Sequence, residues 1–417
     1  MEQPNSRMSV RQWQLVLWLF LIALVNYFDR QSLSVVAPRM QASLHLSDVG
    51  YAHIVSVFLF ASAIAYGISG FISDRLGTRR SMALFVGWWS LAEAATAFVT
   101  TGWMLGVTRF CLGLGEPGLW VAAPKAVGES FDERRRPMII SIYTMGATVG
   151  AIVALPIITA VTTHLPWKSI FLLDGIAGLL CVPIWFWIYR GTSDIPSAGK
   201  PEKASAMAVL RRPATWKLLV ARSMTDPVWY FLLFWFPKYL LSARHLPLEN
   251  VAKVGWIVYA GGGMGTLLGG FISASMIRSG LRPGIAYRRT MLAAACIVPL
   301  SPFAALVSGT LSSILIAALI AFAHMGWLAT LTAVLVDLYS QQQLGRAAGL
   351  IAMGSGLGGM LSSEAVGYLV MHGGYTPVFC LMAVLHPIAI LLLWPVFTRG
   401  HEGHPPQPLE LVKEVPS

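Results

Sequence analysis

Charge is what this sequence has least of. Only 12% of its 417 residues are Asp, Glu, Lys or Arg, and 56% are hydrophobic. Soluble domains carry about 25% charged residues, so a soluble globular protein is excluded. Short alternating segments are missing too, which excludes a transmembrane β-barrel. Cysteine is sparse: Cys111, Cys181, Cys296 and Cys380 all fall in apolar segments and none forms a C-x-x-C pair, so packing is their expected role. There is no G-x-x-x-x-G-K-[ST] loop to hold ATP phosphates, no H-E-x-x-H and no metal-spaced Cys/His set. No nucleophile–base constellation appears, so an enzyme is not expected, and neither is a cofactor or a metal. The net charge is +11, but no basic run is interleaved with aromatics, which argues against nucleic-acid binding.

What fills the chain is apolar runs long enough to cross a bilayer as helices. They cover 13–37, 51–73, 81–100, 103–128, 138–162, 169–189, 216–241, 252–276, 287–307, 311–336, 347–371 and 375–397. The spacing predicts an all-α integral membrane protein of twelve transmembrane helices. A polar, proline-bearing stretch, RGTSDIPSAGKPEKASAMAVLRRP, divides them. The expected organisation is a six-helix bundle over 1–189, a central loop over 190–214, a second six-helix bundle over 215–399 and a tail over 400–417. The N-terminal MEQPNSRMSVRQW leads into a run too long for a signal-peptide core, so the first helix is read as retained. With the N-terminus placed in the cytoplasm, 21 of the 30 basic residues fall on the cytoplasmic side. That bias puts both termini inside.

The two halves repeat. GFIS occurs at Gly70–Ser73 and again at Gly270–Ser273. MG with a further glycine four residues on occurs at Met145–Gly150 and at Met353–Gly358. A duplicated six-helix unit, with a central site between rocking halves, is the expectation.

Against this background the intramembrane charges stand out. The first half shows Asp29, Arg30, Arg109, Glu116 and Lys125. Unpaired, they cost on the order of 10 kcal/mol to insert, so they must face protein or water. Arg109 and Glu116 lie seven residues apart and share a helix face. Pro117 breaks the hydrogen-bond ladder beside Glu116. A helix-locking ion pair and a water-lined functional cavity both remain open for these two. The five charges sum to a net positive set, which suits an anionic ligand, and two buried carboxylates suit proton coupling. In the second half, Arg222 and Asp226 are placed to pair locally. The aromatic run DPVWYFLLFWFPKYL holds Trp229, Tyr230 and Phe234; either it packs, or it presents rings to a sugar's apolar face. His324 and Trp327 lie mid-helix, as a packing pair or a functional one. Glu364 is a partner for Lys238 or a vestibule residue, and Lys125 either lines the cavity or anchors the fourth helix.

These motifs resemble the major facilitator superfamily. GFISDRLGTRR matches its loop between helices 2 and 3, where Gly70, Asp74, Arg75, Gly77, Arg79 and Arg80 would form a cytoplasmic latch. NYFDRQSLSVVAP and RFCLGLGEPG are similar to the first- and fourth-helix motifs of the anion:cation symporter family within it. The run from Asp226 and the AHMGW segment look most like its hexuronate transporter branch. The resemblance implies proton-coupled uptake of a sugar acid by a monomer in the inner membrane, with a small organic anion, protons and lipid as its partners. Arg30 would bind the substrate carboxylate, and Asp29 and Glu116 would carry protons. Arg109 would pair with Glu116 in one protonation state. Tyr27, Trp229, Tyr230, Phe234, His324, Trp327 and Thr330 would line the pocket. Three positions depart from the family pattern: Pro117-Gly118-Leu119 stands where Ala-Gly-Asn is expected, Ser62 where an aromatic is common, and Ala329 or Thr330 where an Asn is expected. Another organic anion (an aldonate, dicarboxylate or aromatic carboxylate) is the alternative substrate, and a drug/proton antiporter is a more distant one.

Overall fold

A computed structural model describes residues 8–132, 135–189, 203–339 and 341–399. Most of the central loop (190–202), the tail 400–417, Arg7 and Arg134 lie outside the described residues. The rest is helical, with no strand among the described residues. Twelve spans form: α1 (Val10–Leu44), α2 (48–76), α3 (78–96), α4 (Gly102–Gly115 continued by Pro117–Ser130), α5 (Arg136–His164), α6 (Ser169–Ile188), α7 (Pro213–Tyr230, running on to Ser242), α8 (Leu248–Val254 and Trp256–Arg278), α9 (Pro283–Ile297, running on to Leu306), α10 (Thr310–Leu338), α11 (Gln341–Gly373) and α12 (Thr376–Arg399). A short helix, Lys203–Arg211, precedes α7.

Local chemistry sets the boundaries. Ser9 and Gln12 form a capping box at the start of α1, which satisfies two end donors at once. The 49 residues of Asp48–Thr96 would make a straight helix of ~74 Å, far beyond the ~30 Å hydrocarbon core. The chain turns instead at Gly77, whose φ of 74° suits glycine. In α4 the helix is interrupted at Glu116, because Pro117 cannot donate. In α7 a π-helical turn, Phe231–Trp235, lies between Pro227 and Pro237. Eight helical stretches are long and apolar enough to span outright, one of them containing both α2 and α3. The spans outside that set are α4 and α7, which are broken, and α11, which carries Arg346 and Glu364.

The sequence repeat has a direct structural meaning. A Cβ on Gly146 or Gly150 of α5 would lie 2.2 or 2.3 Å from the backbone oxygen of Phe20 or Leu24 in α1. On Gly354 or Gly358 of α11 it would lie 2.6 or 1.9 Å from that of Leu219 or Ser223 in α7. Each pair of glycines thus brings two backbones into contact, as small residues do in membrane interfaces. The same device fixes the first helix of each half against the fifth.

The halves meet along α2–α11 and α5–α8. Polar contacts cross between them toward the face opposite the termini. Lys238 pairs with Asp48 and sits over the rings of Tyr51 and Trp235 at 5.0 and 5.1 Å. His53 contacts Glu364 at 2.7 Å, and the Tyr51 hydroxyl donates to the Phe234 carbonyl at 2.6 Å. The expected Lys238–Glu364 pair therefore does not form; each charge finds a closer partner across the seam. The 70–80 motif also differs from expectation. Asp74 pairs with Lys125, and Arg79 donates to the carbonyls of Tyr189 and Phe186 at 2.9 and 3.0 Å. Arg75 lies over Phe71 at 5.6 Å, and Arg80 is exposed. These contacts all stay within the first half. Lys125 is thereby an anchor at the end of α4 and not a cavity charge.

Gly358→Leu is expected to abolish the folded protein, because the contact it would crowd is backbone and cannot yield. Gly270→Ala, with nothing within 4 Å of its Cβ position, is expected to leave the melting temperature within a degree or two. Thermal unfolding of the purified proteins compares them.

Candidate functional site

The site is built on helices that begin or bend near the centre. Arg30 on α1 is 7% exposed and its Nε bonds Glu116 Oε2 on α4 at 2.7 Å. Its guanidinium lies 5.2 Å from the ring centre of Tyr27 and 5.5 Å from that of Phe58 on α2. Across the seam, α7 contributes Arg222, whose Nε bonds Asp226 Oδ2 at 3.0 Å, as the four-residue spacing predicts. Tyr66 of α2 and Tyr230 of α7 interact electrostatically with both arginines. The Tyr230 hydroxyl is 2.8 Å from Ser355 Oγ on α11, and Phe234 stacks on Tyr230 with ring centres 6.2 Å apart. A narrow crevice lined by Val55, Tyr230, Trp235 and Ser363 opens beside them. Two guanidinium groups, two tyrosines and a serine from both halves thus converge on one region.

A second group lies next to it within the first half. Arg109 Nη2 bonds Glu93 Oε2 of α3 at 2.5 Å and Thr96 Oγ1 at 2.6 Å. Asp29 and Asp174 of α6 adjoin Glu93, and one oxygen of each lies within 4.8 Å of the others. Close helix contact makes this possible. A Cβ on Gly175 would fall 2.5 Å from the Ala94 backbone nitrogen, so α6 and α3 touch backbone to backbone and deliver Asp174 to Glu93.

These pairings correct two expectations. Arg109 binds Glu93 and not Glu116. Glu116 is taken up by Arg30, and Glu93 on the adjoining helix reaches Arg109 instead. Glu93 and Asp174 join the buried acids and Lys125 leaves, so the buried set is Arg30 and Arg109 against Asp29, Glu93, Glu116 and Asp174. That buried set is formally net negative, not net positive. Affinity for an anion must come from individual guanidinium groups. Both missed acids carried a signal: a single carboxylate in the apolar runs SLAEAAT and FLLDGIAGLL, the same signal that marks Asp29.

The remaining predicted residues form a third group in the second half. His324 Nδ1 is 3.2 Å from His386 Nε2. Trp229 stacks parallel to His324 at 6.3 Å, and Trp327 meets His386 edge-on at 5.1 Å. His386 escaped sequence reading, although it is a histidine in the middle of the twelfth apolar run. Thr330 donates to the Gly326 carbonyl of its own helix at 2.8 Å. The aromatic run itself is largely core: Trp229, Phe231, Phe234, Trp235 and Phe236 are all buried, and Tyr230 keeps partial exposure.

The Major Facilitator Superfamily profile matches residues 19–329 and 284–415. The chain is 23% identical to the hexuronate transporter of Escherichia coli K12 over 405 residues, covering 92% of this chain and 94% of that protein. It is 27% identical to the hexuronate transporter of Bacillus subtilis 168 over 392 residues, covering 90% and 93%. In fold it is similar to the xylose transporter XylE from E. coli, in a partially occluded inward-open conformation, with a TM-score of 0.73, 13% identity and coverage of 95% and 100%.

Removing one partner of a buried ion pair costs about 3–5 kcal/mol, because the other charge is stranded. Arg30→Ala is therefore expected to lower the melting temperature by several degrees. Glu116→Gln in the same chain should recover most of that loss, as thermal unfolding of the single and double variants would show.

Proposed function

Because the chain belongs to the Major Facilitator Superfamily, a multi-pass membrane protein, we propose that it is a proton-coupled symporter that imports a sugar acid, a hexuronate such as galacturonate or glucuronate. The face carrying both termini would be cytoplasmic and the membrane the bacterial inner membrane. The observation that carries this reading is the Arg30–Glu116 pair, buried between the halves at 2.7 Å. A guanidinium fork matches a carboxylate in two-bond geometry and stays charged when buried. Glu116 occupies on Arg30 the place a substrate carboxylate would take. Protonation of Glu116 would free Arg30, and the substrate would replace one carboxylate by another with no change of charge on the arginine. Arg222, Tyr66, Tyr230 and Ser355 would offer donors to the ring hydroxyls. Tyr27 and Phe234 would border the site, and the His324, Trp327, Trp229 and Thr330 group would support it from behind α7. Alternating access would move the two halves about this point, with one chain sufficient.

A second reading, a different organic anion, is favoured by one observation. Ser62 and Thr330, two of the positions that depart from the family pattern, turn their hydroxyls to carbonyls of their own helices at 2.9 and 2.8 Å. Their O–H donors are thus used within the helix and not offered to a sugar. This favours an aldonate, dicarboxylate or aromatic carboxylate only if hexuronates fail.

The test is uptake of labelled galacturonate and glucuronate into proteoliposomes, with and without an inward proton gradient. Wild type is expected to accumulate at least one of them under the gradient. Arg30→Ala should abolish both uptake and exchange, a loss of 100-fold or more. Glu116→Gln should keep exchange but lose accumulation. No uptake of either compound by well-expressed wild type would sink the hexuronate reading and favour the second one.

A further inference from the structure

The Asp29–Glu93–Asp174 group holds more negative charge than its surroundings neutralise. Arg30 is paired with Glu116 and Arg109 with Glu93. Asp29 and Asp174 are left without a cation. Asp29 is 1% exposed, and neither of its oxygens has a hydrogen-bond donor. One oxygen of Asp174, itself 7% exposed, and one of Glu93 lie within 4.8 Å of an Asp29 oxygen. Two buried carboxylates this close, with no cation of their own, do not both ionise, so one of them holds a proton. Arg109 is 1% exposed and its Nε is also unpartnered, so the group keeps an unused donor beside its unused acceptors.

The surroundings offer no other counter-charge. On α1 the adjacent ion is Arg30. On α3 it is Glu93, and on α4 Arg109 and Glu116. Among the described residues, the charged groups that act on Asp29 are Asp174, Glu116 and Arg109, with Glu93 beside them. Arg109 already points into the group, which disfavours a metal ion there.

We propose that Asp174 is a proton-carrying residue of this transporter: it shares a proton with Asp29, and Glu93 holds Arg109 against the pair as a fixed counter-ion. This rests on the proton-coupled reading above and deepens it. Position adds a direction. Asp174 lies five residues from the start of α6 at Ser169, ~8 Å of helix rise from its end, on the face opposite the termini. Glu116 lies near the middle of α4. Asp29 lies fifteen residues from the same end of α1 and Glu116 fourteen from that of α4, so a proton entering from that face meets Asp174 before either. No bond other than O–H is made or broken, and the proton leaves to water on the far side.

Infrared difference spectra of the purified protein, titrated from acid to alkaline pH without substrate, test the shared proton directly. Wild type should show the band of a buried protonated carboxyl group, and Asp174→Asn should remove or shift it. Sugar-acid accumulation under a proton gradient should fall at least tenfold in Asp174→Asn and be restored in large part in Asp174→Glu. The pH profile of exchange in Asp174→Asn should differ from that of wild type. Glu93→Gln should release Arg109 and shift the same profile. If Asp174→Asn leaves band, accumulation and profile unchanged, Asp174 is structural and the proposal fails. Accumulation that follows a sodium gradient in place of protons would overturn it as well. If Asp174→Asn does not fold, the wild-type band decides, because its absence at every pH excludes a shared proton. The infrared result needs no substrate, so it stands or falls apart from the hexuronate reading.

Discussion

An ionised carboxylate in an apolar interior must have a cation or a proton, and this protein supplies few cations. Four buried acids in the first half face two buried guanidinium groups. Each arginine therefore has a choice of partners, and each change of partner forces a change of protonation somewhere else. Arginine suits this role where lysine would not. A buried lysine can lose its charge, while the guanidinium keeps it and presents a planar fork to whichever carboxylate arrives. On the proposed reading, the scarcity of cations turns a set of ion pairs into a device in which proton and anion binding are linked.

The scaffold holds these charges by backbone contact. Glycines on α5 and α11 press against carbonyls of α1 and α7, so the helices that carry Asp29-Arg30 and Arg222-Asp226 cannot slide. The matching contacts relate Phe20 to Leu219 and Leu24 to Ser223, an offset of 219 − 20 = 199. At that offset Arg30 corresponds to Trp229. The duplicated frame thus carries unlike chemistry at this position: an ion in the first half and a ring in the second. Irregular backbone occurs where the two chemistries meet, at Glu116-Pro117 in α4 and at the π-turn of α7. Such turns recur at functional sites, where they aim side chains that a regular helix would misplace.

The twelve spans were legible because apolar runs of membrane length are hard to mistake, and the glycine repeat already marked equivalent helices. Arg222–Asp226 was legible for a similar reason: its spacing lies within one helix. Partner choice across helices was not. Arg109 and Glu116 share a helix face, and sequence offers no sign that Glu93, on another helix, stands closer. Glu93 and Asp174 themselves could have been found by the rule that marked Asp29, a lone acid in an apolar run. Passing over them reversed the sign of the buried charge. Tyr66 had no signal, since a tyrosine in a membrane helix reads as packing until its neighbours are known. The Lys238–Asp48 and His53–Glu364 contacts depend on how the halves are docked, which no spacing encodes.

On the proposed reading, charge balance also explains why the empty carrier could close. With no substrate bound, Arg30 would be an isolated cation between the halves, and burying it would be costly. Glu116 serves as an internal anion that neutralises it. On the proposed reading, a substrate that bound while Glu116 stayed ionised would place two carboxylates against one guanidinium. The halves could not seal over that excess charge. A protonated Glu116 with no substrate would leave Arg30 unpaired, which is equally hard to bury. Only two arrangements keep Arg30 neutralised: deprotonated and empty, or protonated and loaded. Those are the two states a symporter has to move across the membrane, and the exclusion of the mixed states is what prevents a leak of either proton or anion.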